Sequence, residues 1–129
     1  MIKINYIIEK GNNIYINNKT HIQTNFRKYI ETFLESQLTT FKGRVDAIKN
    51  KYGFHKLIPI YISHQLCFIP LNNLKDYELV YINIYEINLI QKVKNKTLIK
   101  FHDQSEIIIN KQFNSIYNNY KRALIIKSW

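Results

Sequence analysis

Three stretches of helical periodicity, set into a chain otherwise made of short Ile-, Val- and Tyr-rich runs, limit what this sequence can fold into. Phe26, Tyr29, Ile30, Phe33, Leu34 and Leu38 recur at three- and four-residue spacing, the stripe of an amphipathic helix entered through Thr24 or Asn25 as cap. Val45, Ile48 and Tyr52 share one face of a shorter helix over residues 43–52, which Gly53 can stop. Phe113, Ile116, Tyr117, Tyr120 and Leu124 make the apolar face of a closing helix capped by Asn110, with Ser115, Asn118, Lys121 and Arg122 left in water.

The remaining runs read as strands. Ile2, Ile4 and Tyr6 alternate with Lys3 and Asn5, Gly11-Asn12-Asn13 supplies a turn, and Ile14-Tyr15-Ile16 returns as the second strand of a hairpin. Pro59 and Pro70 bracket two short strands, Ile60-Tyr61-Ile62 and Leu66-Cys67-Phe68-Ile69, around a turn at Ser63-His64-Gln65. A proline lacks the ladder donor, so both are expected at strand edges or ends. Residues 78–93 suit either a strand buried on both faces or a bent pair of strands. Thr97-Leu98-Ile99-Lys100-Phe101 and Glu106-Ile107-Ile108-Ile109 form a hairpin around His102-Asp103-Gln104-Ser105.

The expectation is an α+β fold: a single domain over residues 1–129, mainly antiparallel sheet, with two or three helices packed on it, the C-terminal helix included. A chain of 129 residues closes one core, and only 3 glycines and 2 prolines argue against a long flexible linker. Cys67 has no partner for an internal disulfide and sits in an apolar run, where a small buried thiol is expected. Residues 1–5 lack the apolar core of a signal peptide, and no stretch approaches the ~20 apolar residues that span a bilayer. A cytoplasmic protein without a membrane partner is expected.

Catalytic readings fail on spacing. His21, His55, His64 and His102 are scattered, with no pair at the i, i+4 spacing that lets a helix hold zinc, so neither a metal site nor a cofactor is expected. His102-Asp103 in a turn fits a hydrogen-bonded loop better than a nuclease pair. The glycines stand alone at Gly11, Gly43 and Gly53, so no phosphate loop forms and no enzyme activity is expected. Gly43 before Arg44 reads two ways: free amides beside a guanidinium as a single-phosphate contact, or a helix-entry glycine next to a surface arginine.

What stands out is charge. Lys plus Arg total 19 against 9 Asp plus Glu, a formal +10 that attracts a polyanion. Part of the lysine excess fits the AT-rich codons that also encode the abundant Ile, Asn and Tyr. The three arginines, Arg27, Arg44 and Arg122, resist that discount better. Lys42, Arg44, Lys49, Lys51 and Lys56 fall in one short stretch with Asp46 the only acid among them, and Lys121 with Arg122 form a second group. Either these make a solvated basic face, or they converge into one track along a nucleic-acid backbone.

Thr39-Thr40-Phe41-Lys42-Gly43-Arg44, His55-Lys56 with Pro59-Ile60, Gln65 to Pro70 and a spaced set from Thr97 to Arg122 occur in an order that resembles the ComK family of competence transcription factors. Thr39-Thr40-Phe41-Lys42-Gly43-Arg44 resembles its small-polar pair, aromatic and Gly-Arg; His55-Lys56 with Pro59-Ile60 resembles its His-Lys-Pro stretch entering a strand. Gln65 to Pro70, ending Phe68-Ile69-Pro70, resembles the next strand. Thr97, Phe101, Asn114-Ser115, Asn119 and Arg122 fall in family register without a gap, and together the motifs cover roughly residues 33–123. Leu38 replaces the family's glycine, Tyr81 stands where a tryptophan is expected before a strand, and the chain stops at Trp129, short of the family's long C-terminal extension.

The resemblance implies a tail-less ComK-like DNA-binding domain acting as a transcription regulator, with double-stranded, AT-rich DNA read through the minor groove by a homodimer or higher oligomer. The expected DNA-binding residues are Lys42, Arg44, Lys49, Lys51, Lys56, Lys121 and Arg122. A second reading keeps the fold but makes the chain an interaction protein that pairs with a full-length ComK-like regulator and antagonises it. A third, a small nuclease or RNA-binding protein, finds no support in the spacing.

Overall fold

A computed structural model describes residues 3–35, 38–54, 57–73 and 78–127. Among them the elements run β1 (Tyr6–Lys10), β2 (Asn13–Ile16), β3 (Thr20–Ile22), α1 (Phe26–Leu34), α2 (Phe41–Tyr52), β4 (Ile60–Tyr61), β5 (Cys67–Asn73), β6 (Glu78–Asn83), β7 (Ile87–Val93), β8 (Lys96–Phe101), β9 (Glu106–Ile109) and α3 (Phe113–Lys127). All strand pairs are antiparallel. They form a six-stranded sheet of order β3-β2-β1-β6-β5-β4 and a three-stranded sheet of order β7-β8-β9. The fold is the expected α+β arrangement with its closing helix.

Alternation along β5 sets the layering. Cys67, Ile69 and Leu71 enter a core shared with the small sheet and α3, whereas Phe68 enters the core under α1. The large sheet is therefore covered on both faces. On one, α1 buries Phe26, Ile30 and Leu34; on the other, Ile99, Phe101, Ile109, Ile116 and Ala123 close the second core. Cys67 is fully buried, as its apolar run implied.

Residues 78–93 form the bent pair. A 3-10 turn at Ile84–Glu86 sends β6 into the large sheet and β7 into the small one. Asn83, buried at the bend, ties its own segment to two others through four hydrogen bonds: its Nδ2 donates to the Ile4 carbonyl at 2.8 Å and the Gln65 carbonyl at 3.0 Å, and its Oδ1 accepts from the Cys67 amide at 3.2 Å and the Tyr85 amide at 3.4 Å. The two sheets are also joined through Asn5, whose Nδ2 donates to Asp103 Oδ2 at 2.9 Å and to Ser105 Oγ at 3.1 Å. Donors from the Ser105 side chain and backbone, then from Asn5, hold the Asp103 carboxyl down at about 2. That carboxylate is engaged in bracing a turn, the structural alternative for His102-Asp103.

Several expectations are corrected. β5 does not stop at Ile69 but runs through Pro70, opposite Tyr81, to Asn73; the expected edge position of Pro70 holds, because β4 pairs only with Cys67 and Phe68 and leaves β5 an edge there that tolerates a residue without an N–H. Tyr81 lies within β6 rather than before a strand. Leu38 is not part of the α1 stripe: α1 ends at Leu34, and Leu38 is 96% exposed at φ 55°. Asn110 does not cap α3, which starts at Phe113 with the Gln112 carbonyl accepting from Ile116. The chain first turns through Lys111, whose carbonyl is held by the buried Thr97 hydroxyl at 2.9 Å. The buried row of α3 is Ile116, Asn119, Ala123 and Ile126, while Tyr117 is 40% exposed. The strand β3 had no counterpart in the sequence reading.

Candidate nucleic-acid interface

The first element of the basic surface is α2, and its start is built by the Thr-Thr-Phe-Lys-Gly-Arg motif. Thr40 is the N-cap, its Oγ1 accepting from the Gly43 amide at 3.0 Å. A Cβ on Gly43 would lie 3.2 Å from Thr40 Oγ1 and 3.4 Å from Thr39 Oγ1, so the glycine makes room for the threonine pair. This corrects the phosphate-contact reading of Gly43: the helix starts at Phe41, and the Gly43 amide is already satisfied. At the other end Gly53, at φ 71°, donates to the Lys49 carbonyl at 2.8 Å and ends the helix as expected.

Helical geometry divides the cations of α2 into two rows. Only Ile48 is buried, and at 100° per residue Arg44 and Lys51 fall on one flank of it, Lys42 and Lys49 on the other. The Arg44 guanidinium lies 6.0 Å from the centre of the Tyr61 ring on β4, and the Lys51 ammonium 5.5 Å from that of Tyr52. Lys42 is paired with Asp46 at 3.1 Å, both side chains being largely in water. The expected single group is therefore two rows; Lys56, with His55, lies outside the described residues.

The second element is α3, and apolar packing draws it to the first. Ile126 joins Ile48 and Ile58 in a small third core, with Tyr52, Phe54 and Tyr61 at its margin. One turn earlier along α3, the Arg122 guanidinium lies 4.2 Å from the centre of the Phe54 ring, which itself stacks on Tyr52 at 5.7 Å. Arg122 Nη1 donates to Asn119 Oδ1 at 3.0 Å, while its Nε is buried without a hydrogen-bond partner among the described residues. Burial pulls the guanidinium pKa downward. Arg122 is thus not the solvated residue the helical pattern implied: Phe54 covers one face of the ion and fixes where its remaining donors point.

Lys121 continues the surface along α3. Its ammonium lies 5.3 Å from the Tyr117 ring, and Tyr117 stacks on Phe113 at 5.3 Å, giving a Phe113, Tyr117, Lys121 row at four-residue spacing. Across α2, β4, β5 and α3 the sequence carries one acid, Asp46; residues 47–75 and 107–129 contain no Asp or Glu. Arg44, Lys51, Lys121 and Arg122 thus each lie beside an aromatic ring. Sequence reasoning missed Phe54 and Tyr61 as site residues, because their meaning lies in contacts with Arg122 and Arg44 elsewhere in the chain. It also missed four lysines of the β7–β8 hairpin: Lys92, Lys94, Lys96 and Lys100.

A different feature is a cavity of about 530 Å³ bounded by Ile4, Ile16, Tyr29, Phe33, Leu66 and Glu86 among others. Its walls are mainly apolar, unsuited to a polyanion. Among the described residues no three His, Cys, Asp or Glu side chains are grouped to hold a metal, and no helix is long and apolar enough to cross a membrane.

A family model described as ComK protein matches residues 3–129. No curated protein matches the chain, and no solved structure does.

Proposed function

The chain belongs to the ComK family of competence transcription factors along nearly its whole length, and on that premise we propose that it binds AT-rich double-stranded DNA through the surface formed by α2 and α3. One observation supports the proposal: Ile48 of α2 and Ile126 of α3 share a small core with Ile58, so the two basic helices approach each other there, and α2, β4, β5 and α3 together carry a single acid, Asp46. A duplex offers one phosphate charge per ~1.7 Å of axis, and a fixed cationic surface gains from releasing the counterions that shield it.

An AT-rich minor groove is narrow and its negative potential enhanced, so an inserted Arg reads width rather than base identity. Arg44, held beside Tyr61, is the residue proposed to enter the groove; Arg122, held on Phe54, and Lys121, Lys49 and Lys51 are proposed to contact phosphates. One domain covers little DNA. A homodimer or higher oligomer supplies site length, and the protein acts in the cytoplasm.

The test is fluorescence anisotropy with AT-rich and GC-rich duplexes across a salt series, with sedimentation of the free protein. The expected result is tighter binding to the AT-rich duplex and a loss of ~1 to 3 kcal/mol for Arg44→Ala. Unchanged affinity in that variant removes Arg44 from the interface. Mixed dimers with a full-length ComK-like protein, without salt-dependent binding of DNA by this chain alone, overturn the proposal in favour of an antagonist.

A further inference from the structure

The β7–β8 hairpin carries more charge than its fold requires. From Ile87–Val93 through Lys96–Phe101 it holds Lys92, Lys94, Lys96 and Lys100 and no acid. Among the described residues β7 pairs only with β8, and most of it is exposed, with Leu89 and Val93 open on one side. At the tip, Lys94 takes φ 56° in the two-residue turn between Val93 and Lys96. Asn or Gly is favoured in that left-handed position, and a lysine there is a local strain that neither core nor ladder explains.

Lys92, Lys94 and Asn95 border a cavity of about 170 Å³ whose other wall is Gln112, Phe113 and Asn114. Phe113 also starts the aromatic row that leads through Tyr117 to Lys121. The tip therefore adjoins the far end of the α3 surface. From Phe113 to Arg122 the helix advances ~13 Å, about four steps of a DNA strand at ~3.4 Å each.

We propose that the β7–β8 hairpin is a second backbone-contacting arm, with Lys92, Lys94 and Lys96 binding phosphates of the same duplex beyond the α2–α3 surface. The inference rests on the DNA-binding reading above and adds to it the partner of an element that reading leaves unused. Charged side chains on an unpaired edge also discourage sheet-to-sheet association, and that competing role makes a different prediction.

Three variants separate these roles in the full chain: a triple Lys92→Gln, Lys94→Gln, Lys96→Gln; a control triple Lys10→Gln, Lys19→Gln, Lys28→Gln; and Lys94→Asn. Anisotropy on one AT-rich duplex is read from low to moderate salt, with hydroxyl-radical footprints. The hairpin triple is expected to reduce the salt slope by about 2 to 3 and to shorten the footprint at one end, the control to change neither. Lys94→Asn is expected to raise the melting temperature while weakening binding, which a merely structural role would not do.

A hairpin triple that binds with the parental slope overturns the arm and leaves the α2–α3 reading standing. So does an equal loss of slope in the control, which reports bulk charge. A hairpin triple that aggregates in sedimentation while Lys94→Asn binds like the parent assigns the lysines to edge protection and overturns the arm as well. If the parent itself shows no salt-dependent binding, the DNA reading fails first and the arm with it.

Discussion

Two neighbouring helices, α1 and α2, have opposite allegiances. α1 is the shorter, yet Phe26, Ile30 and Leu34 are all fully buried, and its start is fixed from two sides: Asn25 Oδ1 accepts from the Lys28 amide at 2.8 Å, and Glu9 Oε2 on β1 accepts from the Phe26 amide at 2.7 Å. The Tyr81 ring stacks on Phe26, and its hydroxyl donates to Glu9 Oε1 at 3.4 Å; burial, then the Glu9 charge, push its phenol pKa upward. α2 is longer, buries only Ile48, and carries Lys42, Arg44, Lys49 and Lys51. Helix formation alone does not distinguish them. What differs is where the side chains go, so changes in α1 should be felt as stability and changes in α2 as binding.

The sharpest way to break that contrast is Ile30→Ala. The side chain is completely buried under the sheet, so truncation should cost ~2 to 5 kcal/mol in denaturant unfolding, with the DNA affinity of the folded fraction unchanged. A loss under 1 kcal/mol would mean that α1 is no more embedded than α2. Next in size, Thr40→Ala removes the acceptor of the Gly43 amide and should cost ~1 kcal/mol. Here binding should fall together with stability, because fraying the first turn loosens Arg44. Equal destabilisation with parental affinity would show that the α2 start does not position the cations.

The same contrast explains what was legible in the sequence. The α1 stripe, the Gly53 stop and the hairpin from Thr97 to Ile109 were readable because local spacing and turn chemistry decide them. The strand β3 was overlooked although it had a signal: Asn17 and Asn18 both take positive φ, near 55°, a conformation Asn tolerates in tight turns. Asn17 Oδ1 also accepts from the Asn5 amide at 2.7 Å, and its Nδ2 donates to the Lys3 carbonyl at 2.8 Å. Arg122 was misread because its helical position is at the boundary of the buried row, and only the approach of Phe54 decides that it is covered. The division of the α2 cations was within reach of helical spacing, but no local rule tells which row turns toward β4.

The smallest expected effect is also the one that distinguishes the two rows of α2. Lys42 and Asp46 form an exposed i, i+4 pair, so Asp46→Asn should cost only ~0.3 to 0.5 kcal/mol of stability. It also removes the one acid of the surface. At a separation of ~10 Å in water, deleting that charge should favour an approaching phosphate by on the order of 0.5 kcal/mol, and less as salt rises. Tighter binding at low salt, with a steeper salt dependence from the released Lys42, would bring the Lys42 and Lys49 row onto the duplex. Parental affinity and slope would leave contact to Arg44, Lys51 and α3 and reduce the contribution of α2 to the flank nearest Tyr61.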